Sequence, residues 1–384
     1  MTNYKNISFF NGLNSLRFFA ALLVVLHHSE TIRFKNGLPN LNWLGLFKDG
    51  SIAVTFFFVL SGFLITYLLL KENGQNGTVS IKRFYLKRVL RIWPLYFLLV
   101  IFGTLLLPAL INIFGLNYVM PYTFGQTWHY FLFFLPGLVT YFFGHHLLEP
   151  LWSIGIEEVF YLIWAPLFKF AKKYLLLILI SIIAIKSFLI ITSFYIVENN
   201  LFSYLVDIFQ FEAMAVGGLG AYFIYNRNHS LSGLKIYKIP VQIAIYSLLV
   251  IFLVFNRNID NSVWNIFFKT PVFSQLFICF LFLYLIIGVS LIDHSIFKLR
   301  KRFFSYLGEI SYGIYMYHMP IIFGLMLVLQ KQLSKLDLLT GSLLYYPVTL
   351  IVVVGVSAIS KRYFEDFFLK LKDRIVIRKK VTIQ

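Results

Sequence analysis

Residues 14–28 read NSLRFFAALLVVLHH, an apolar stretch that contains Arg17 and ends in His27 and His28. Eleven residues of α-helix rise about 16 Å and make almost three whole turns, so Arg17 and His28 share one face at different depths. Ionisable groups inside a membrane cost about 3 kcal/mol or more each, which makes this pair a candidate functional site. The alternative is that Arg17 extends to the lipid headgroups and His28 only ends the helix. His27 points about 80° away from Arg17 and is a weaker candidate.

The whole chain has the composition of a polytopic helical membrane protein. Of its 384 residues, 59% are hydrophobic, 19% aromatic and 13% charged, which leaves no room for a separate soluble domain. We therefore predict an all-α bundle of ten transmembrane helices, both termini cytoplasmic. The predicted spans are residues 9–28, 50–70, 89–115, 152–170, 174–196, 204–225, 239–255, 271–291, 306–330 and 340–360. A further aromatic stretch, 129–143, contains Pro136 and Gly137 and is predicted to be re-entrant or interfacial.

The distribution of basic residues supports this topology. With both termini in the cytoplasm, 25 lysines and arginines lie in inner segments and 7 in outer loops, as the positive-inside rule requires. The net charge of +18 is thus a topology signal rather than a nucleic-acid footprint. We expect the first span to be retained, because Arg17 interrupts its apolar region and no small-residue cleavage site follows. Cys279, the single cysteine, is expected to be a packing residue.

The segment WSIGIEE, which begins at Trp152, opens the fourth span on the outer side, where His28 closes the first. A carboxylate that accepts a hydrogen bond from one imidazole nitrogen leaves the other nitrogen free as a base. Because adjacent helical residues point about 100° apart, only one of Glu157 and Glu158 can face His28. Glu157 is the candidate catalytic carboxylate, and Trp152, Ser153 and Glu158 are candidates for the acceptor side. The alternative is that both glutamates only mark the water interface.

On the inner side, the segment SIKRFYLKRVLRIWPLY leads into the third span and contains Arg88 and Arg91. These residues are three apart and share a helical face, a spacing that suits a phosphate or pyrophosphate group. Lys82, Arg83 and Lys87 extend the same positive patch. The alternative is a cytoplasmic anchor that contacts anionic lipid.

Other polar and small residues in the spans are interpreted as structural. Ser61 and Gly62 are small residues that allow helices to approach closely, and so are three glycines of the sixth span, Gly217, Gly218 and Gly220. His318 lies within the ninth span and is interpreted as a structural histidine, with a catalytic role as the alternative. The other histidines have no ligand-like partners, and we predict no metal site.

Together, the motifs resemble the acyltransferase-3 family of membrane acyltransferases, which O-acetylate bacterial surface polysaccharides. The resemblance rests on Arg17 with His28, FFFVLSGFLI at 56–65, the Arg88-x-x-Arg91 motif followed by IWPLY, WSIGIEEVFY at 152–161 and ISYGIYMYHMP at 310–320. It covers nearly the whole chain, as residues 1–362 with a basic cytoplasmic tail at 363–384. One departure is Ala53-Val54-Thr55, where the family often has Gly-Val-Asp, and this argues against an acidic role at Thr55.

The resemblance implies an acyl-CoA donor, with acetyl as the expected group, on the cytoplasmic side of a bacterial inner (plasma) membrane. Arg88 and Arg91 would hold the phosphates of the CoA, and the pantetheine arm would pass Arg17. His28, assisted by Arg17, would be the base for a hydroxyl of an extracytoplasmic glycan or lipid-linked sugar. Direct attack and a covalent acyl-histidine are both open.

The competing function is a transporter or flippase of a lipid-linked saccharide. Transporters often have corresponding repeats with broken helices in each half. Residues 1–190 and 191–384 share no evident internal repeat, and the polar residues are concentrated in the first four spans. A scaffold protein is disfavoured by the cost of placing Arg17 in the membrane.

Overall fold

The computed structural model describes residues 4–371, apart from 49, 117, 256–258 and 260, together with residue 375. All regular secondary structure in this part of the chain is helical. The α-helices are α1 (Leu13–Lys35), α2 (Gly45–Lys48), α3 (Ser51–Asn76), α4 (Ile81–Ile101), α5 (Leu107–Phe114), α6 (Phe124–Leu132), α7 (Pro136–Phe143), α8 (Leu151–Ala171), α9 (Leu175–Tyr195), α10 (Asn200–Ile208), α11 (Phe211–Tyr225), α12 (Ile239–Phe255), α13 (Ser262–Phe268), α14 (Pro271–Leu291), α15 (Arg302–Glu309), α16 (Ser311–Leu333) and α17 (Leu338–Ser360). Shorter 3-10 or π-helical segments are Tyr4–Asn6, Phe102–Leu106, Lys172–Tyr174, Lys235–Tyr237 and Lys361–Glu365.

Within the described residues, seven helical segments are long and apolar enough to cross a membrane. They are Ser51–Asn76, Ile81–Phe114, Leu151–Tyr195, Asn200–Tyr225, Pro271–Leu291, Ser311–Leu333 and Leu338–Leu371. The third of these has 45 residues and contains both α8 and α9, which is about twice the length that one crossing needs. The polytopic helical class is confirmed, whereas the count of ten spans and the cytoplasmic termini stay predictions.

Residues 129–143, the aromatic stretch predicted not to span the membrane, fall in two short helices. The helices α6 and α7 have 9 and 8 residues, and neither is long enough for a hydrocarbon core of about 30 Å. Thr123 and Gln126 form a capping box that starts α6, and Pro136 starts α7.

The centre of the bundle is the contact between α3 and α11, which depends on glycine. A Cβ added at Gly62 would collide with the backbone of Met214, and one at Gly217 would collide with the carbonyl oxygen of Val59. The two backbones can therefore meet only where neither residue carries a side chain. The packing role predicted for these two glycines is confirmed.

The helices α15 and α16 position α1, which was predicted to contain the first span and is not among the seven segments above. The helix α1 packs along α15 and α16, and Gly308 of α15 lies against the backbone of Asn14.

The predicted tail at 363–384 begins as helix, because α17 continues through the π-helical segment as far as Leu371. Residues 372–374 and 376–384 of that tail lie outside the described residues.

Candidate active site

Five helices, α1, α3, α4, α8 and α16, surround a cavity of about 110 Å³, which we call the arginine cavity. Its charged lining residues, among those that the structure describes, are Arg17, Arg88, Arg91 and Glu157. Arg17 and Arg88 are half-buried and Arg91 is exposed, so Arg91 marks the mouth of the cavity. Three guanidinium groups with one carboxylate leave an excess of positive charge that suits an anionic ligand.

Glu157 is held at the wall of this cavity by two hydroxyl groups. The Ser61 hydroxyl donates to one carboxylate oxygen at 2.7 Å, and the Tyr161 hydroxyl donates to the other at 2.8 Å. The charge of Glu157 also acts on Arg17 and Arg88. Ser61 therefore orients a candidate catalytic carboxylate, so its interpretation as a packing residue alone was wrong.

Arg17 and Arg88 are each in contact with neutral side chains. Arg17 donates from Nη1 to Asn14 Oδ1 at 3.1 Å. The guanidinium of Arg88 lies over the ring of Tyr161, 5.2 Å from its centroid, and near that of Phe84. Such contacts orient a guanidinium and leave its N–H donors available to a phosphate.

His28 forms a pair with His318 of α16. His318 Nδ1 hydrogen-bonds the carbonyl oxygen of Tyr315, and its Nε2 lies 3.2 Å from His28 Nδ1. His28 Nδ1 also lies 3.0 Å from the carbonyl oxygen of Val24. His27 is held differently, with Nδ1 at 2.6 Å from the carbonyl oxygen of Phe47.

These contacts determine the tautomer of His28 when both rings are neutral. A carbonyl oxygen only accepts, so His318 Nδ1 carries a proton and His318 Nε2 must accept. His28 Nδ1 then donates to His318 Nε2 and to the Val24 carbonyl oxygen. The proton sits on Nδ1 of His28, and Nε2 keeps the lone pair that a general base requires.

The expected contact between His28 and a glutamate of α8 is absent from the hydrogen bonds of the described residues. Glu157 is bound by Ser61 and Tyr161, and Glu158 accepts from Trp93 Nε1 at 3.0 Å. Glu157 accepts from Ser61 of α3, and Glu158 accepts from Trp93 of α4, because these donors lie beside the two carboxylates. The pairing with His28 was therefore wrong, and His318 takes that place.

The residues predicted for the acceptor side are separated. Trp152 packs edge-on against Phe58, with ring centroids 6.0 Å apart. Ser153 lines the arginine cavity, and its Oγ lies 2.7 Å from the hydroxyl of Tyr315. Glu158 faces Trp93, as described above.

Tyr315 connects the arginine cavity with the histidine pair, and sequence reasoning missed it. Its side chain lines the cavity and its carbonyl oxygen accepts from His318. Tyr161 was missed as well, although it lies four residues after Glu157 and thus on the same helical face. Tyr315 and His318 are three residues apart and so share a helical face, which also could have indicated that they belong to one site.

The other basic residues before the third span do not join this site. Lys82 and Lys87 are exposed, and neither they nor Arg83 belong to the described lining of the cavity. Among the described residues, no group of three or more His, Cys, Asp or Glu side chains is placed to hold a metal ion.

Comparison with known proteins places this arrangement in a family. The peptidoglycan O-acetyltransferase OatA of Listeria monocytogenes is 28% identical over 330 residues, which are 81% of this chain and 49% of that protein. The putative peptidoglycan O-acetyltransferase YrhL of Bacillus subtilis is 28% identical over 81% of this chain and 48% of its own length. A putative O-acetyltransferase of Staphylococcus aureus is 34% identical over 42% of this chain and 25% of its own.

The chain thus spans about half the length of the first two relatives. No solved structure matches it. Residues 10–362, which include every side chain of the arginine cavity and both members of the histidine pair, match the family described as Acyltransferase domain. The chain therefore belongs to the acyltransferase-3 family.

Proposed function

We propose that this protein transfers an acyl group, with acetyl as the expected group, from acyl-CoA to a hydroxyl of an extracytoplasmic glycan. The observation that carries the proposal is the arginine cavity, with three guanidinium groups and one carboxylate, whose lining residue Tyr315 connects it to the pair of His318 and His28. The names of the relatives support O-acetylation and favour peptidoglycan as the glycan.

The donor end of the site is assigned to Arg88 and Arg91. The phosphates of CoA carry several negative charges, and paired guanidinium groups bind such groups through bidentate hydrogen bonds. Arg17, deeper in the cavity, is placed to meet the thioester end of the donor. The predicted topology puts the mouth at Arg91 on the cytoplasmic side.

The acceptor end is assigned to His28. Its Nε2 takes the proton of the acceptor hydroxyl while the oxygen attacks the thioester carbonyl carbon. The new C–O bond forms, the C–S bond breaks, and the CoA thiolate leaves and recovers the proton from the imidazolium. Alternatively, Nε2 attacks the thioester carbonyl carbon first, so that a C–N bond forms, the C–S bond breaks and the CoA thiolate leaves. The acceptor hydroxyl then attacks the acyl-imidazolium, the C–O bond forms as the C–N bond breaks, and the hydroxyl proton goes to the CoA thiolate.

The test is acyl transfer by the purified protein in vesicles, followed as release of free CoA and as acylation of the glycan. We expect His28→Ala to lower transfer by about 100-fold or more. His318→Leu should cost less, about tenfold, because the Val24 carbonyl still holds the tautomer of His28. His27→Ala is the matched control, since this neighbouring ring binds Phe47 instead.

Equal losses from the His27 and His28 variants, at equal abundance in the membrane, would remove His28 as the base. Movement of a lipid-linked saccharide without release of CoA would replace the acyltransferase with a flippase. Detection of an acylated His28 by mass spectrometry of protein kept at neutral pH would select the two-step route.

A further inference from the structure

A second cavity, of about 690 Å³, lies between α3, α9, α10, α12 and α14, and we call it the outer cavity. This volume is within the range of sites for small organic ligands. Hydroxyl and amide side chains contribute much of its lining: Ser51, Thr55, Ser193, Gln210, Ser274 and Gln275. None of these residues lines the arginine cavity.

Glu212, in the first turn of α11, lines the outer cavity with an unsatisfied carboxylate. The residue is 1% exposed, and its Oε1 accepts from Gln275 Nε2 at 3.0 Å. Its Oε2 is buried and has no hydrogen-bond partner among the described residues. An unpaired buried carboxylate oxygen is costly, so a ligand that donates an O–H or N–H here would be stabilised.

The charges around the outer cavity nearly balance. Lys48 and Lys269 line it together with Asp207 and Glu212. Behind them, Lys186 is buried on α9, donates to a backbone carbonyl and lies in the field of Glu212 and Asp207. A balanced cavity rich in hydroxyl and amide groups favours a neutral polyhydroxylated ligand over an ion.

The outer cavity lies near His27 of α1. Gly45 and Lys48 line it, and between them the carbonyl oxygen of Phe47 binds His27. Gly50, at the start of α3, lies against the same imidazole ring. The short segment that contains Gly45, Phe47 and Gly50 therefore separates the outer cavity from the ring of His27.

We propose that the outer cavity is a saccharide subsite, in which Glu212 Oε2 accepts a hydrogen bond from a sugar hydroxyl or amide. This inference rests on the proposed function. The subsite holds a sugar of the acceptor glycan that neighbours the sugar acylated at His28. A polymeric acceptor extends beyond the unit that reacts, and the position of this cavity beside His27 and His28 accommodates that extension.

The test measures binding of a β-1,4-linked N-acetylglucosamine tetramer to the full chain by saturation-transfer NMR and calorimetry. We expect Glu212→Leu to weaken binding by about tenfold or more, because the hydrogen-bonding carboxyl group is lost. Ser274→Trp fills the cavity with Glu212 intact and should have the same effect. Glu198→Gln, at an exposed glutamate outside the cavity, is the matched control.

No binding by the wild type, or wild-type binding by both Glu212→Leu and Ser274→Trp, would overturn the subsite even where acyl transfer continues. Binding that needs Glu212, in a protein that never consumes acyl-CoA, would instead overturn the proposed function and leave a saccharide site without an acceptor role.

Discussion

At the scale of single residues, Arg88 and Arg91 differ from the other basic residues of their segment in position rather than in charge. Both line the arginine cavity, whereas Lys82 and Lys87 of the same segment do not belong to its described lining. Surface cations of this kind contact anionic lipid whatever the substrate. Only the two arginines that line the cavity are therefore expected to bind the donor.

We predict that Arg88→Ala or Arg91→Ala raises the KM for acyl-CoA about tenfold or more, with a smaller change in kcat, because a charge-assisted bidentate contact is lost. Lysine at either position should restore only part of the binding, since an ammonium group cannot form that contact. Steady-state kinetics of CoA release measures both parameters.

Lys82→Ala is the control, and its KM should stay at the wild-type value. An unchanged KM in the double variant Arg88→Ala with Arg91→Ala would reduce the pair to a topology signal.

The residues of the site were predictable in kind but not in pairing. The cost of charge in a membrane made Arg17 and His28 candidates, and a possible carboxylate–histidine contact made Glu157 one. Arg17 and Glu157 line the same cavity, and the catalytic roles of all three stay predictions. Which donor meets which acceptor depends on the rotation of each helix about its axis, and that is set by packing between distant segments. Glu157 therefore meets Ser61 of α3 rather than His28.

At the scale of the elements, the contact of α3 with α11 is the most sensitive to substitution. We predict that Gly62→Ala or Gly217→Ala lowers the free energy of unfolding by about 1–3 kcal/mol, because the added methyl group overlaps a backbone carbonyl. The same change elsewhere in a helix normally stabilises it by up to about 1 kcal/mol. Thermal unfolding in detergent measures the difference.

The matched control is Gly324→Ala in α16, where an added Cβ has no neighbour within 4 Å among the described residues. Its midpoint should equal or exceed that of the wild type. Equal midpoints for the variants at positions 62, 217 and 324 would contradict the close approach of α3 and α11.

Helix positions were more predictable than helix ends. The predicted span 271–291 coincides with Pro271–Leu291, because apolar runs record the hydrocarbon core directly. The first span, predicted at 9–28, is a helix over Leu13–Lys35 instead. The helix continues beyond the apolar stretch at its C-terminal end, where Glu30 and Arg33 form a buried ion pair at 2.8 Å that composition alone does not reveal.

At the scale of the whole molecule, the donor and acceptor sites are predicted to open on opposite sides of the membrane. In vesicles of known orientation, free CoA should appear only when acyl-CoA is supplied on the side of Arg88, and the glycan should be acylated on the side of His28. Separate assays of the inner and outer solutions measure the two products. Consumption of acyl-CoA from the His28 side would reverse the topology, as would cysteine labelling that places residues 72–87 outside.

Tyr315 has a consequence for the electrical integrity of the membrane. Its hydroxyl binds Ser153 and the carbonyl oxygen of Pro150, its ring meets Phe57 at 6.0 Å, and its side chain is 6% exposed. Tyr315 thus occupies space between the arginine cavity and the pair of His318 and His28. A continuous file of water along Arg17, Glu157 and His28 would conduct protons and drain the gradient that a cell maintains. If the protein transfers acyl groups across the membrane as proposed, Tyr315 would allow that transfer without a leak of ions.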